Sequence, residues 1–221
     1  MKDSFYEQHR SNYSLVDHYW HMRENIAGVY PLYVTVKWGV VFFEYAGVQR
    51  ITIVGPRTLP GEAPFRAGEY IWGVVFQGDT LLTSFTKREL LNHVIQVPIT
   101  DGQCTIGGEK CTIPQYDRLD TFVDQLVRSG IISTAPIAAV SHRDRQRKVK
   151  RYTGLTPKQI EQAMRVDQAL ELLNQPLALS AIAAQSGFAD QPHMNRDFLR
   201  FTGYTPRELR RLFDDKDSND K

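Results

Sequence analysis

A chain of 221 residues, 42% hydrophobic and 24% charged, has the makeup of a soluble globular protein long enough for two modest domains. The longest apolar run, Gly39-Val40-Val41-Phe42-Phe43, is far too short to cross a bilayer, and the opening MKDSFYEQHRSNYS lacks the apolar segment of a signal peptide. Two cysteines cannot supply a disulfide framework, so a cytoplasmic protein with no membrane partner is expected. The net charge of +2 hides an asymmetry: residues 1–117 hold 10 Lys/Arg against 12 Asp/Glu, and residues 118–221 hold 17 against 13. Between Arg143 and Lys158 there are seven Lys/Arg and one acid, Asp144. Such a block fits a polyanion footprint, or a solvated helix face.

From Val16 to about Val97 the texture is that of strands. VDHYWHM, YVTVKWGVVFFEYAG, RITIVGP, YIWGVVFQG and HVIQVP are rich in Val, Ile and aromatics and are separated by Gly and Pro. Strands this short and close predict an antiparallel barrel or double sheet. One helix is expected among them, Thr86 to His93, with Thr86 and Glu89 as a capping box. His18 and His21, with Glu24 beyond, invite a metal reading, but those histidines fall on opposite faces of a strand, and no metal or other cofactor is expected. Trp38, Phe42, Trp72 and Phe76 are candidate walls of an effector pocket, although aromatics at such spacings more often fill a core. Cys104 to Cys111 reads as a hairpin turning on Gly107-Gly108, which sets the two cysteines opposite each other at about 5.5 Å between Cα atoms. In a reducing compartment two small half-buried residues are the expectation, with a redox switch as the alternative.

Past Pro114 the texture turns helical. Leu119, Phe122, Val123, Leu126 and Val127 recur at helical spacing up to Gly130. Ser141 caps a basic helix, HRDRQRKVKRYTG, which stops at Gly154. The longest helix is predicted from Thr156 to Asn174, with Ile160, Ala163, Met164, Val166, Ala169, Leu170 and Leu173 as its apolar residues; nineteen residues span about 28 Å. Then Ser180 to Leu209 reads as two short helices. Gly187 serves the tight turn, Phe188 closes it, Asp190 caps the second helix, and Pro192 fits its first turn. Met194, Phe198 and Phe201 form a buried stripe, Gly203 ends the helix, and Thr205-Pro206 starts the next. The tail from Asp214 is charged and apolar-free and is expected to be disordered.

The order IAAQSGF-ADQPHMNRDFLRFTGYTPREL resembles the second helix-turn-helix of the AraC/XylS family of bacterial transcription regulators. The likeness rests on Ile182-Ala183, Gly187-Phe188, Asp190-Gln191, His193, Arg196, Phe198 and Gly203-Tyr204-Thr205-Pro206. Ser141, Arg143, Gln146 and Arg147, followed by Thr153-Gly154-Leu155-Thr156-Pro157, resemble the family's first recognition helix. Arg165, Ala169, Leu172 and Leu173 resemble its connecting helix. Two departures mark the first unit as degenerate: only ten residues separate Gly130 from Ser141, and Arg145 and Lys148 stand where family members place core residues.

The resemblance implies an α+β protein: an N-terminal antiparallel, cupin-like β barrel over 1–117, an all-α domain with two helix-turn-helix units over 118–213 joined by the long helix 156–174, and a tail over 214–221. It implies a sequence-specific transcription regulator that binds double-stranded DNA and RNA polymerase, with a small effector or a homodimer interface in its β half. Base contacts are expected from Gln191, Asn195 and Arg196, and from Arg143, Gln146 and Arg147 of the first unit. Phosphate contacts are expected from Ser141, Lys150, Arg151, His193 and Arg200, with His193 equally able to fill the core. A cupin-like enzyme is the alternative from another class, set against it by the lack of clustered metal ligands or a nucleophile–base pair. A third class is an interaction module on the same scaffold that binds no DNA.

Overall fold

The computed structural model describes residues 5–78, 80–134, 155–173 and 175–217. Strands come first: β1 (Phe5–Arg10), β2 (Val16–Arg23), β3 (Gly28–Leu32), β4 (Trp38–Tyr45), β5 (Val48–Val54), β6 (Gly61–Phe65), β7 (Tyr70–Phe76) and β8 (Thr80–Leu82). A one-turn helix α1 (Lys87–Leu90) precedes β9 (Val94–Gln96), β10 (Ile99–Thr100), β11 (Gln103–Ile106) and β12 (Glu109–Thr112). Helix α2 (Leu119–Arg128) and β13 (Ile132–Thr134) close this half. The remainder is helical: α3 (Pro157–Leu173), α4 (Leu179–Gln185), α5 (Gln191–Thr202) and α6 (Pro206–Asp217).

The main sheet is antiparallel, in the order β1-β2-β7-β4-β5-β9. Among the described residues its end strands do not pair with each other, so the expected barrel is an open sheet with smaller sheets packed around it. The two-residue period of the strands divides its side chains between two cores. Trp38, Val40, Phe42, Ile51, Ile53, Trp72, Val74 and Phe76 face α2 and the β10-β11-β12 sheet, burying Leu119, Phe122, Val123 and Leu126. On the other face Trp20, Met22 and Ile71 pack with Tyr30 and Phe65 of the β3–β6 pair, Trp20 lying parallel to Tyr30 at 5.8 Å. Gly107 and Gly108 both take positive φ, 61° and 88°, as a twisted two-residue hairpin turn requires, and Cys104 stands opposite Cys111.

The helix expected over Thr86–His93 is shorter. The Glu89 carboxylate accepts from the Thr86 N–H at 2.7 Å, but Asn92 adopts φ 61° and ends the helical path. Tyr33 to Lys37, read as the start of a strand, is not in the sheet: among the described residues only Thr35 bridges, to Arg57. Its alternating Val34 and Val36 are buried against the helical half instead. Met164, expected on the buried stripe of α3, is 59% exposed. Helix α6 continues to Asp217, four residues into the stretch expected to be disordered. Charged residues nucleate helices poorly, but they extend one already started.

Candidate nucleic-acid interface

The helical half carries a core of Ala163, Val166, Ala169 and Leu173 from α3, Ile182 and Ala183 from α4, and Met194, Phe198 and Phe201 from α5. The turn between α4 and α5 is tight. Gly187 sits at φ 75°, and the Phe188 N–H donates to the Ala183 carbonyl at 2.9 Å, bringing the Phe188 ring into that core. Asp190 caps α5, its carboxylate accepting from the His193 N–H at 2.6 Å, and Pro192 occupies the first turn. Gly203, at φ 82°, donates to the Leu199 carbonyl and closes the helix. Each of these local features was expected from the sequence.

The helices on either side of this pair, α3 and α6, start alike. Thr156 Oγ1 accepts from the Gln159 N–H at 3.2 Å while the Gln159 side chain accepts from the Thr156 N–H at 2.9 Å. Thr205 and Glu208 repeat this reciprocal pair ahead of α6. Because the buried stripe of α5 is pinned, its opposite stripe is fixed as well. Arg196, Leu199 and Arg200 are exposed there, and Gln191 and Asn195 are half-buried at its edge. The candidate base-reading side chains of this unit therefore share one face of one helix. Arg143, Gln146 and Arg147, with Ser141, Lys150 and Arg151, lie outside the described residues.

Between α3 and α5 sits a polar cluster that the sequence reading missed. Asp197, 6% exposed, accepts from Gln162 Nε2 at 3.2 Å, with Arg165 Nη2 at 3.8 Å and His193 Nε2 at 3.6 Å from its other oxygen. The His193 ring stands edge-on to Phe188 at 5.4 Å, and its Nδ1 accepts from the Ala189 N–H at 3.4 Å. The Arg165 guanidinium also lies over the Phe188 ring, 5.5 Å from its centroid. A signal was present: Gln162 stands four before Val166, and Asp197 three after Met194, each a polar residue on an apolar stripe.

Comparison with known proteins meets this geometry at the same residues. Residues 134–212 match the helix-turn-helix domain family. These residues are similar to the helix-turn-helix domain of AraC/XylS-type regulators. The HTH-type transcriptional activator RhaS of Escherichia fergusonii is 38% identical over 132 residues, covering 58% of this chain and 47% of RhaS. The HTH-type transcriptional regulator ArgR of Pseudomonas aeruginosa is 28% identical over 117 residues, covering 47% of this chain and 36% of ArgR. The chain thus spans less than half the length of these relatives. ToxT from Vibrio cholerae aligns over 93% of this chain and 97% of its own at 9% identity and a TM-score of 0.49.

The helical half is joined to the β half through Tyr33–Lys37. The Val34 N–H donates to the Phe201 carbonyl at 2.8 Å, and the Val34 side chain enters the helical core. Val36 packs with Leu155 and Ile160 ahead of and within α3. Lys37 Nζ reaches Asp17 at 3.1 Å and Asp167 of α3 at 3.2 Å. Burial works against the charge of all three groups. For Asp17 the hydrogen bond from His18 and the Lys37 charge outweigh it and hold the carboxyl at about 2; for Asp167 burial wins and the pKa is raised. Lys37 is raised, because its two carboxylates overcome the burial that would lower it. Arg10–Glu171 at 2.5 Å and Tyr204 Oη to Glu62 at 3.0 Å add contacts at the rim.

In the β half, Trp38, Phe42, Trp72 and Phe76 are buried against one another and α2. Trp38 stacks on Phe76 at 4.2 Å and Phe42 on Trp72 at 5.5 Å, and the indole N–H groups donate to the carbonyls of Thr80 and Pro114. His18 and His21 occupy opposite faces, the first against Asp17 and the second between Glu7 and Tyr70. Among the described residues no three His, Cys, Asp or Glu side chains are grouped to hold a metal ion, and no helix is long and apolar enough to cross a membrane. Cys104 and Cys111 are free and fully buried; the hydrogen bond between them and burial push the Cys104 thiol up, while the same hydrogen bond holds the Cys111 thiol below its ordinary value.

Proposed function

We propose that this chain is a sequence-specific, DNA-binding transcription regulator of the cytoplasm, not an enzyme, with α5 as its principal reading helix. The observation that carries the reading is the two-sided order of α5 within an AraC/XylS-type domain. One face is locked by Met194, Phe198, Phe201 and Asp197, while the other presents Asn195 and Arg196 with Gln191 at its start. Asn and Gln can pair bidentately with adenine and Arg with guanine in the major groove, whose dimensions admit one helix. The basic segment 141–154 supplies a second contact, with Arg143, Gln146 and Arg147 toward bases and Ser141, Lys150 and Arg151 toward phosphates. Arg200 is assigned to phosphate. His193 is reassigned from phosphate to positioning, since both of its ring nitrogens face protein groups.

The division into 1–117 and 118–213 belongs to the same reading, with α2 and β13, although past residue 117, packed and paired on the β half. A small effector acting on the β half, contact with RNA polymerase and homodimer formation belong to the same reading. Selection from a random duplex pool with the full chain, followed by gel shifts, tests it. Arg196→Ala should cost on the order of 1–3 kcal/mol on the selected site and relax specificity at one base position. Affinity should fall steeply with salt, as phosphate contacts release counterions. Equal retention of selected and random duplex by the unaltered protein would sink the proposal.

A further inference from the structure

One side chain on the exposed face of α5 departs from its neighbours. The other large apolar residues of this helix, Met194, Phe198 and Phe201, are buried to within 2%. Leu199 is 50% exposed, three residues after Arg196 and directly before Arg200. Helical spacing puts it beside Arg196 and one turn beyond Asn195, near the middle of the stripe opposite the core. An apolar side chain beside the Arg196 guanidinium is poorly placed to bind an apolar protein groove, because that charge would have to be desolvated with it, whereas Arg200 turns its guanidinium over the Phe201 ring. It is well placed against DNA, where the Arg196 guanidinium meets guanine. The one apolar group on the edges of the major groove is the thymine C5-methyl.

We infer that Leu199 is a specificity-determining residue that packs on the methyl group of a thymine next to the base pair read by Arg196. This deepens the proposed function and rests on it: α5 must enter the major groove. The contact requires no hydrogen bond, so it discriminates thymine from uracil, which differ there only by the methyl group, and leaves base pairing untouched. Burying one such group corresponds to about a fourfold change in affinity.

The test uses the full chain and the duplex enriched from a random pool, with each thymine in turn replaced by uracil. The unaltered protein should bind one substituted duplex about fourfold more weakly than the parent, at a position adjoining the one where Arg196→Ala relaxes specificity. Leu199→Ala should bind the parent about fourfold more weakly and show no further loss with uracil at that position. Its thermal melt should match the unaltered protein, since the side chain is outside the core. If uracil is tolerated at every position, or if Leu199→Ala keeps the same uracil penalty, the inference is overturned while DNA reading by α5 stands. If the pool yields no enriched sequence, both fall together.

Discussion

Asp197 is the residue whose environment says most about how the reading helix is held. A carboxylate 6% exposed must be met by donors, and Gln162, Arg165 and His193 converge on it from α3 and from the preceding turn of α5. The cluster fixes the rotation of α5 about its axis more narrowly than apolar contacts alone, because a small rotation disturbs the contacts of Asp197 with Gln162 and Arg165 on α3. Asp197→Ala removes the acceptor and leaves the buried amide of Gln162 unpaired, so unfolding in urea should show a loss of about 2–3 kcal/mol. Asp197→Asn keeps an oxygen for Gln162 and should lose less. Affinity for the selected duplex should fall in the same order, Ala below Asn below the unaltered protein. Equal stability of all three would show that the cluster contributes nothing to the helix's position. Neither Gln162 nor Asp197 drew notice in the sequence, because periodicity arguments follow apolar residues and treat a polar one on the stripe as an interruption.

Among the elements, the helical half was far more legible than the sheets, and the reason is local chemistry. The start, stop and turn of α5 are each set by residues within a few positions, Gly187, Asp190, Pro192 and Gly203, and all four behave as their backbone preferences require. The strands β1, β3 and β6 were missed. β1 is an edge strand with a polar, half-exposed sequence, and β3 and β6 carry Pro31 and Pro64, residues tolerated only where a ladder needs no N–H. Tyr33–Lys37 was misread for a subtler reason. Its alternation of Val34 and Val36 is genuine, but it answers to helices instead of a neighbouring strand. Gly187 gives the element-scale prediction. At φ 75° an added Cβ would meet only Arg165 Cδ at 3.7 Å, so Gly187→Ala is penalised through the backbone and not through packing. Thermal unfolding should show a cost of about 1–2 kcal/mol, with Gly187→Asn recovering part of it because Asn tolerates the left-handed region better. A cost equal for both would point to the side chain instead of the backbone.

At the scale of the molecule, Lys37 ties the two halves together, and no sequence pattern announced it, since its partners lie twenty residues before it and far along the chain in α3. Removing the ammonium would leave Asp17 and Asp167 facing each other at a largely buried junction, with only His18 beside Asp17. Lys37→Met keeps most of the side-chain volume, so the loss measured is chiefly electrostatic, about 3 kcal/mol at pH 7. The pH dependence separates this from a packing defect. In the unaltered protein Asp17, held at about 2, contributes stability that is complete above the ordinary carboxylate range and is lost as pH falls from about 4 toward 2. Asp167 has the opposite sign: its pKa is raised by burial and should rise further without Lys37, so proton uptake favours the folded state as pH falls through that raised value. The difference in unfolding free energy between the two proteins should therefore be largest near pH 7 and shrink as pH is lowered toward 4. A packing defect would give the same difference at both pH values. Because the Val34 N–H, three residues before Lys37, also holds the carbonyl of Phe201 at the end of α5, the same substitution should loosen the grip of the β half on the reading helix. Amide hydrogen exchange would register this as faster exchange at Val34 in Lys37→Met at pH 7, with the α4–α5 turn at Gly187 and Phe188 unchanged. Uniform acceleration across both sites would mean global destabilisation and no local tie.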